Sequence, residues 1–216
     1  MTAATAVRTE TAVTVDAERL RTGIDISRLF ASGDDTNLPQ ILSIALRVDG
    51  DRLLMYATDR YTISRFTMPC SGGWGAPLLL RPAQFRALHL FLGEAQKGEP
   101  VKLTRDGVRV LAETTHMTTA LPGWPAVDPF AEEWLSSVSV GQIEEWYAAT
   151  PGPVEKIGLN PSLVARYAKV SKLLRQGYET STWTFVAPNK PVRVDIGPDF
   201  AGLVMPIRLY SSDVTS

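Results

Sequence analysis

Across 216 residues there is one cysteine, Cys70, and there are two histidines, His89 and His116. A single cysteine excludes an internal disulfide and a cysteine-rich metal site, and it points to a reducing, cytosolic compartment. Neither histidine stands beside a cysteine or paired carboxylates, and no Gly-rich phosphate loop occurs. The acidic pairs Asp34-Asp35, Glu132-Glu133 and Glu144-Glu145 are adjacent in sequence, so their side chains diverge; they read as solvated surface charge. Charge of one sign is not in excess either. With 22 Lys and Arg against 23 Asp and Glu the net charge is −1, which excludes a global basic field for nucleic acid but not a local patch. No run is long and apolar enough to cross a membrane. The opening "MTAATAVRTETAVTV" has no signal-peptide core and reads as a disordered lead over residues 1–11, running into a first strand. These absences predict no catalytic residue, no metal site, no cofactor and no enzyme.

What is present is an ordinary globular composition, 44% hydrophobic and 21% charged, long enough to bury a sizeable core. A strand-helix-strands pattern recurs along the chain. "TAVTV" (11–15) alternates as a strand, and "DAERLRTGIDISRLFAS" (16–32) places Leu20, Ile24 and Leu29 near helical spacing behind Asp16 as N-cap. In "LSIALRVDGDRLLMYATDRYTISRFTMP" (42–69), Asp49-Gly50 marks a hairpin between alternating runs. A second unit follows in 77–98, an apolar strand leading into a helix with Pro82 in its first turn and Gly98 beyond its end. Strands around an Asp-Gly turn occupy 99–121.

The proline-rich connector "PGWPAVDPF" (122–130) is the best domain boundary. After it, 136–149 repeats the strand-helix opening, but the strands expected next are missing. Asn160 caps a helix begun by Pro161 in "LNPSLVARYAKVSKLL" (159–174). The run 190–209, "KPVRVDIGPDFAGLVMPIRL", echoes "EPVKLTRDGVRVLAET". The module is thus used four times, the third copy stripped. An apolar run interrupted by proline near a chain terminus, "GLVMPIRL" (202–209), needs a docking place; it is either a core edge strand or the wall of a groove.

Four segments carry a resemblance to a known family. "GLVMPIRL" resembles the C-terminal signature of the bacterial DNA polymerase III beta subunit, the sliding clamp. "YATDRYTISR" (56–65) resembles the clamp's Asp-containing loop, in the form with Arg after Asp that actinobacterial clamps favour. "LPGWPAVDP" resembles the connector closing the clamp's second domain, and "IGLNPSLVARYAKV" resembles a helix start in its third. The resemblance covers residues 12–209 and implies an α+β DNA clamp fold of repeated strand-helix-strands modules. Residues 12–130 would form one complete clamp-like domain, 131–209 a truncated one, and 210–216 a polar tail able to cover part of a groove. The family's first domain would be missing and the first half of its last reduced to one strand and one helix (136–149), so an ordinary two-subunit ring would not form; a monomer or weak dimer is expected.

The resemblance also implies function. Clamps do no chemistry; they hold polymerases and other replication or repair proteins on DNA through short peptides docked between the second and third domains. Carried over by position, that groove comprises Thr58, Asp59, Arg60, Tyr61, Thr62 and Ile63, Pro125, Asn160 and Leu163, Val192 and Val194, and Leu203, Val204, Met205, Pro206, Ile207, Arg208 and Leu209. The loop departs from the family, which has a small residue, His or Phe, then Arg where this chain has Arg60, Tyr61 and Thr62. Double-stranded DNA, contacted at phosphates without base reading, would face Arg21, Arg28, Arg81, Arg86, Arg166, Lys169, Lys172 and Arg175. The implied setting is the cytoplasm, at the nucleoid if DNA is bound, of an actinobacterial or other bacterial cell or its phage. The alternative reading is a clamp-derived adaptor or decoy that binds peptides without encircling DNA.

Overall fold

The structure, a computed structural model, describes residues 11–33, 39–75, 77–106, 109–121, 140–174 and 180–209. The lead 1–10, the connector 122–130 with Pro125, the expected strand at 136–139, Arg175 and the tail 210–216 lie outside them. The chain begins with β1 (Thr11–Asp16) and α1 (Ala17–Arg28), and the Asp16 carboxylate accepts the Arg19 N–H at 2.8 Å. That contact satisfies one of the helix's orphan donors, as the N-cap residue predicts. A 3₁₀ turn (Pro39–Leu42) leads to β2 (Ile44–Asp49), β3 (Arg52–Thr58) and β4 (Thr62–Pro69). Gly50, at φ 60°, lets the Asp49-Gly50 hairpin close tightly.

Beyond Cys70 the chain switches sheets as β5 (Ser71–Trp74), returns as β6 (Leu78–Leu80), and enters α2 (Pro82–Gly93). β7 (Pro100–Asp106), β8 (Arg109–Glu113) and β9 (Thr118–Ala120) form a meander. The described remainder holds α3 (Val140–Ala148), α4 (Pro161–Leu173), β10 (Thr182–Thr184), β11 (Val192–Ile196) and β12 (Phe200–Val204). At the start of α4, Asn160 accepts the Ser162 N–H at 2.9 Å, the cap expected from its place before Pro161.

Two antiparallel sheets result. One runs β5-β1-β7-β8-β9; the other runs β10-β11-β12-β4-β3-β2-β6. The second sheet joins strands from both sides of the expected domain boundary, because β12 pairs with β4 from Phe200↔Phe66 to Val204↔Thr62. The run 200–204 is therefore an interior strand with a neighbour on each side, not the edge strand one sequence reading allowed.

Helices α1, α2 and α4 cover one side. α1 packs against α2, α4 and strands β1 to β4. Gly23 brings α1 close, since a Cβ there would lie 2.6 Å from Met55 Sδ and 2.7 Å from Phe66 Cδ1. One main core joins Leu20, Ile24, Phe30, Met55, Phe66, Tyr167, Val170 and Phe200. α3 lies on the opposite side of the seven-stranded sheet, where Ile143 and Tyr147 pack on Ile63, Ala201 and Leu203 in a separate cluster. Side-chain alternation explains the split: Thr62, Ser64 and Phe66 point one way from β4, Ile63 and Arg65 the other.

Candidate functional site

The Asp59 turn connects β3 to β4 and is closed by its own side chains. Asp59 Oδ1 accepts the N–H groups of Tyr61 at 3.0 Å and Thr62 at 2.7 Å, and the Thr62 hydroxyl at 2.8 Å. Thr58 Oγ1 donates to the Thr62 carbonyl at 2.7 Å, and the Arg60 N–H donates to Thr58 Oγ1 at 3.2 Å. Short polar side chains that satisfy backbone groups in this way hold a turn that regular strand pairing would not. Arg60 is held at φ 78°, in the left-handed region that disfavours a side chain. This is where the clamp loop usually carries a small residue.

Arg166 on α4 locks the turn from outside, with Nη1 2.5 Å from Asp59 Oδ2 and 3.1 Å from Thr62 Oγ1. The guanidinium expected to face phosphate is held here against the turn.

The C-terminal run leaves the sheet beside this turn. The Met205 N–H donates to the Tyr61 carbonyl at 2.8 Å, and the Ile207 N–H to the Gly158 carbonyl at 2.8 Å. A Cβ on Gly158 would lie 2.8 Å from Leu209 Cδ2, so this glycine permits the close approach. The exposed large hydrophobic residues among those described are Tyr61, Leu90, Met205, Ile207 and Leu209; all but Leu90 belong to the turn or the run.

A pocket of about 240 Å³ opens here. It is lined by Thr58, Arg60, Tyr61, Thr62, Ile63, Leu203 and Met205, all among the residues carried over from the clamp resemblance, together with Ile41, Gln142, Ile143 and Trp146. Other carried-over residues fall elsewhere. Val192, Val194 and Val204 are fully buried in the main core, and Leu163 packs there too. They face α1 and α4, because alternation along β11 and β12 sends them to the side away from the pocket. Asn160 caps α4. Pro206, Ile207, Arg208 and Leu209 continue the run past the pocket, all but Pro206 exposed.

The α3 residues at the pocket were not legible as site residues, and Glu144 corrects the reading of its acidic pair as solvated charge. Its Oε1 accepts the Tyr56 hydroxyl at 3.0 Å, and its Oε2 lies 2.6 Å from Arg65 Nη1. The Arg65 guanidinium sits 4.1 Å from the Tyr147 ring centroid, a cation–π arrangement. Arg193 Nη1 donates to the Tyr147 carbonyl, and the Tyr147 hydroxyl donates to the Ala201 carbonyl at 3.2 Å. Burial, then the Glu144 carboxylate, push the Tyr56 hydroxyl well above its usual range, so it stays a donor.

On the helical layer Arg21, Arg28, Arg86, Lys169 and Lys172 are exposed. Arg28 lies 3.9 Å from Asp25 and over the Phe85 ring, and Arg21 Nε donates to His89 Nε2 at 3.5 Å. Arg81 precedes α2, its N–H donating to Gln84 Oε1 at 2.8 Å. A depression between these helices is lined by both signs, including Glu18, Arg21, Asp25 and Lys97. Among the described residues no cluster of His, Cys, Asp and Glu could hold a metal ion, and no helix is long and apolar enough to cross a membrane.

No protein-family model matches this chain, and no curated protein does. Solved structures do. The chain is similar to the DNA polymerase III beta subunit of Thermotoga maritima, with TM-score 0.66 and 15% identity over 97% of this chain and 69% of that one. A DNA polymerase sliding clamp from Pseudomonas aeruginosa gives TM-score 0.65 and 16% identity over 93% and 67%. A sliding clamp of the same organism bound to griselimycin gives 0.61 and 12% over 96% and 68%. The architecture is that of the sliding clamps, an α+β clamp fold. Within that class it is the bacterial DNA polymerase III beta subunit that this chain resembles, and it spans about two thirds of the length of those subunits.

Proposed function

We propose that this chain is a sliding-clamp-like DNA replication protein, not an enzyme, that captures short clamp-binding peptides of polymerases or other replication and repair proteins. The observation that carries this reading is the apolar surface of Tyr61, Met205, Ile207 and Leu209 beside an open apolar pocket, anchored by a turn with its own hydrogen-bond cage. A peptide with a glutamine and a Leu-Phe end would place its hydrophobic end against Ile63, Leu203 and Met205, and its polar end near Arg60 and Arg208. Methionine and aliphatic side chains make an adaptable slot. Burying one Leu and one Phe contributes about 3–6 kcal/mol together; main-chain hydrogen bonds and the rest of the peptide's contacts supply what is needed beyond that to offset ordering the peptide and reach a micromolar constant, about −8 kcal/mol. Fluorescence anisotropy with such a labelled peptide tests it: wild type should saturate in the micromolar range and Met205→Glu should not bind while staying folded. No binding by wild type removes the proposal.

One observation favours the second reading, an adaptor or decoy that does not encircle DNA. Arg166 is committed to Asp59 and Arg28 faces Asp25, which thins the basic face of the helices. A monomer or weak dimer with little affinity for duplex DNA at physiological salt would support the adaptor. A closed oligomer with a steep fall of DNA affinity with salt would support the replication clamp.

A further inference from the structure

We propose that α3 is a working wall of the pocket, so that a bound peptide's apolar side chain is gripped between Trp146 and Ile143 on the helix and Ile63, Leu203 and Met205 on the sheet side. This rests on the peptide-binding reading above and specifies how that site is built. Successive residues of a helix are turned by about 100°, so residues 142 to 148 sort into four sectors. Gln142 and Trp146 lie about 40° apart and both line the pocket. Ile143 and Tyr147 come next round the helix and are the buried pair that packs on the sheet. Glu144 follows, on the flank away from the pocket, where Tyr56 and Arg65 hold its carboxylate. Glu145 and Ala148 complete the circumference and are exposed.

The helix is thus seated by one flank and faces the pocket with the other. A helix that merely plugged the slot would bury Trp146 in it; here Trp146 is half-buried and the pocket stays open beside it. The occupant is set by what lines the space. It is apolar, about 240 Å³, large enough for one Leu or Phe side chain, and among the described residues the charged one in its lining is Arg60. The fitting ligand is a linear peptide carrying a Leu or Phe next to a carboxylate. Glu144 acts as a positioning residue, through the seat of α3.

The test uses the full chain and a short labelled peptide with a glutamine, an acidic residue and a Leu-Phe end. Tryptophan emission of wild type minus that of Trp146→Phe isolates Trp146, which should shift to the blue on saturation. Trp146→Ala should weaken binding at least tenfold, Glu144→Ala about three- to tenfold, and exchange of the peptide's acid for its amide should weaken binding to wild type but not to Arg60→Gln. Peptide binding with no Trp146 signal and unchanged affinity in Trp146→Ala would overturn the wall while leaving the peptide reading in place. Tighter binding by Trp146→Ala or Glu144→Ala would show that α3 is a cover, and would also overturn it. Absence of binding in wild type and every variant would remove both.

Discussion

Replacing Asp59 removes the group on which the turn closes. Its side chain is 9% exposed and accepts three hydrogen bonds through Oδ1 while pairing with Arg166 through Oδ2. Hydrogen bonds to a charged group contribute about 1.5–3 kcal/mol each when a donor is left unmet, but the Tyr61 N–H is at an exposed position and water can replace part of the loss. Arg166, at 27% exposure, can also turn outward. Asp59→Ala should therefore cost about 2–4 kcal/mol rather than the sum. Asp59→Asn keeps an acceptor for the Tyr61 and Thr62 N–H groups but turns its amide N–H₂ toward the Arg166 guanidinium, which must swing out to water, a cost of about 1–1.5 kcal/mol. Urea unfolding of wild type, both variants, Arg166→Ala and the double variant reads these values from the midpoints at constant slope. The cycle should give a coupling of about 1–2 kcal/mol between Asp59 and Arg166. Asp59→Ala within about 0.5 kcal/mol of wild type, the range of an ordinary surface change, or a coupling of zero, would refute the caged-turn argument.

Arg60→Gly should stabilise the chain by about 0.5–1 kcal/mol, because relief of the left-handed strain exceeds the entropy a glycine adds to the unfolded chain; thermal melting should show a rise of about 1–4 °C. Gly23→Ala should destabilise by about 1–3 kcal/mol despite the better helix propensity of alanine, since its Cβ would run into Met55 and Phe66; a neutral or positive shift would mean α1 can move away freely. The Gln96 and Thr115 N–H groups, at 2.8 and 2.9 Å, hold the Glu99 carboxyl below its ordinary range. A depressed folded pKa means that this stabilisation is complete above the unfolded value of about 4.3 and is lost as pH falls through the folded value. Acid titration of the unfolding midpoint should be steeper for wild type than for Glu99→Gln below about pH 4, and parallel curves would dismiss the effect.

Much of the fold was legible residue by residue. Asp16 and Asn160 cap helices as their types and neighbours imply, and Asp49-Gly50 turns the hairpin, because each of these signals is local. The turn 58–62 and the run 203–205 were brought together correctly through the family resemblance. What escaped depended on the far side of a packing choice. The amphipathic pattern of 140–148 shows that the helix buries a stripe, but not which face of a sheet receives it; burial of Ile63 and Leu203 across the sheet from the main core decides that. The same limit hid Glu144, whose partners Tyr56 and Arg65 lie 88 and 79 residues away. β5 escaped because the sheet switch at Cys70 interrupts an otherwise continuous apolar alternation, and β10 because a short three-residue strand carries too little pattern of its own. Val192, Val194 and Val204 show the converse error. They lie in strands of the sheet that carries the pocket, yet their side chains face the core.

The most direct test of the account is a map of backbone amide shifts, recorded by heteronuclear NMR as the Leu-Phe peptide is added to the full chain. The account predicts saturable shifts confined to residues 58–63, 142–147 and 203–209, with the helical surface carrying Arg86, Lys169 and Lys172 unmoved. Shifts centred on that helical surface instead, or no shifts at peptide concentrations well above micromolar, would contradict it.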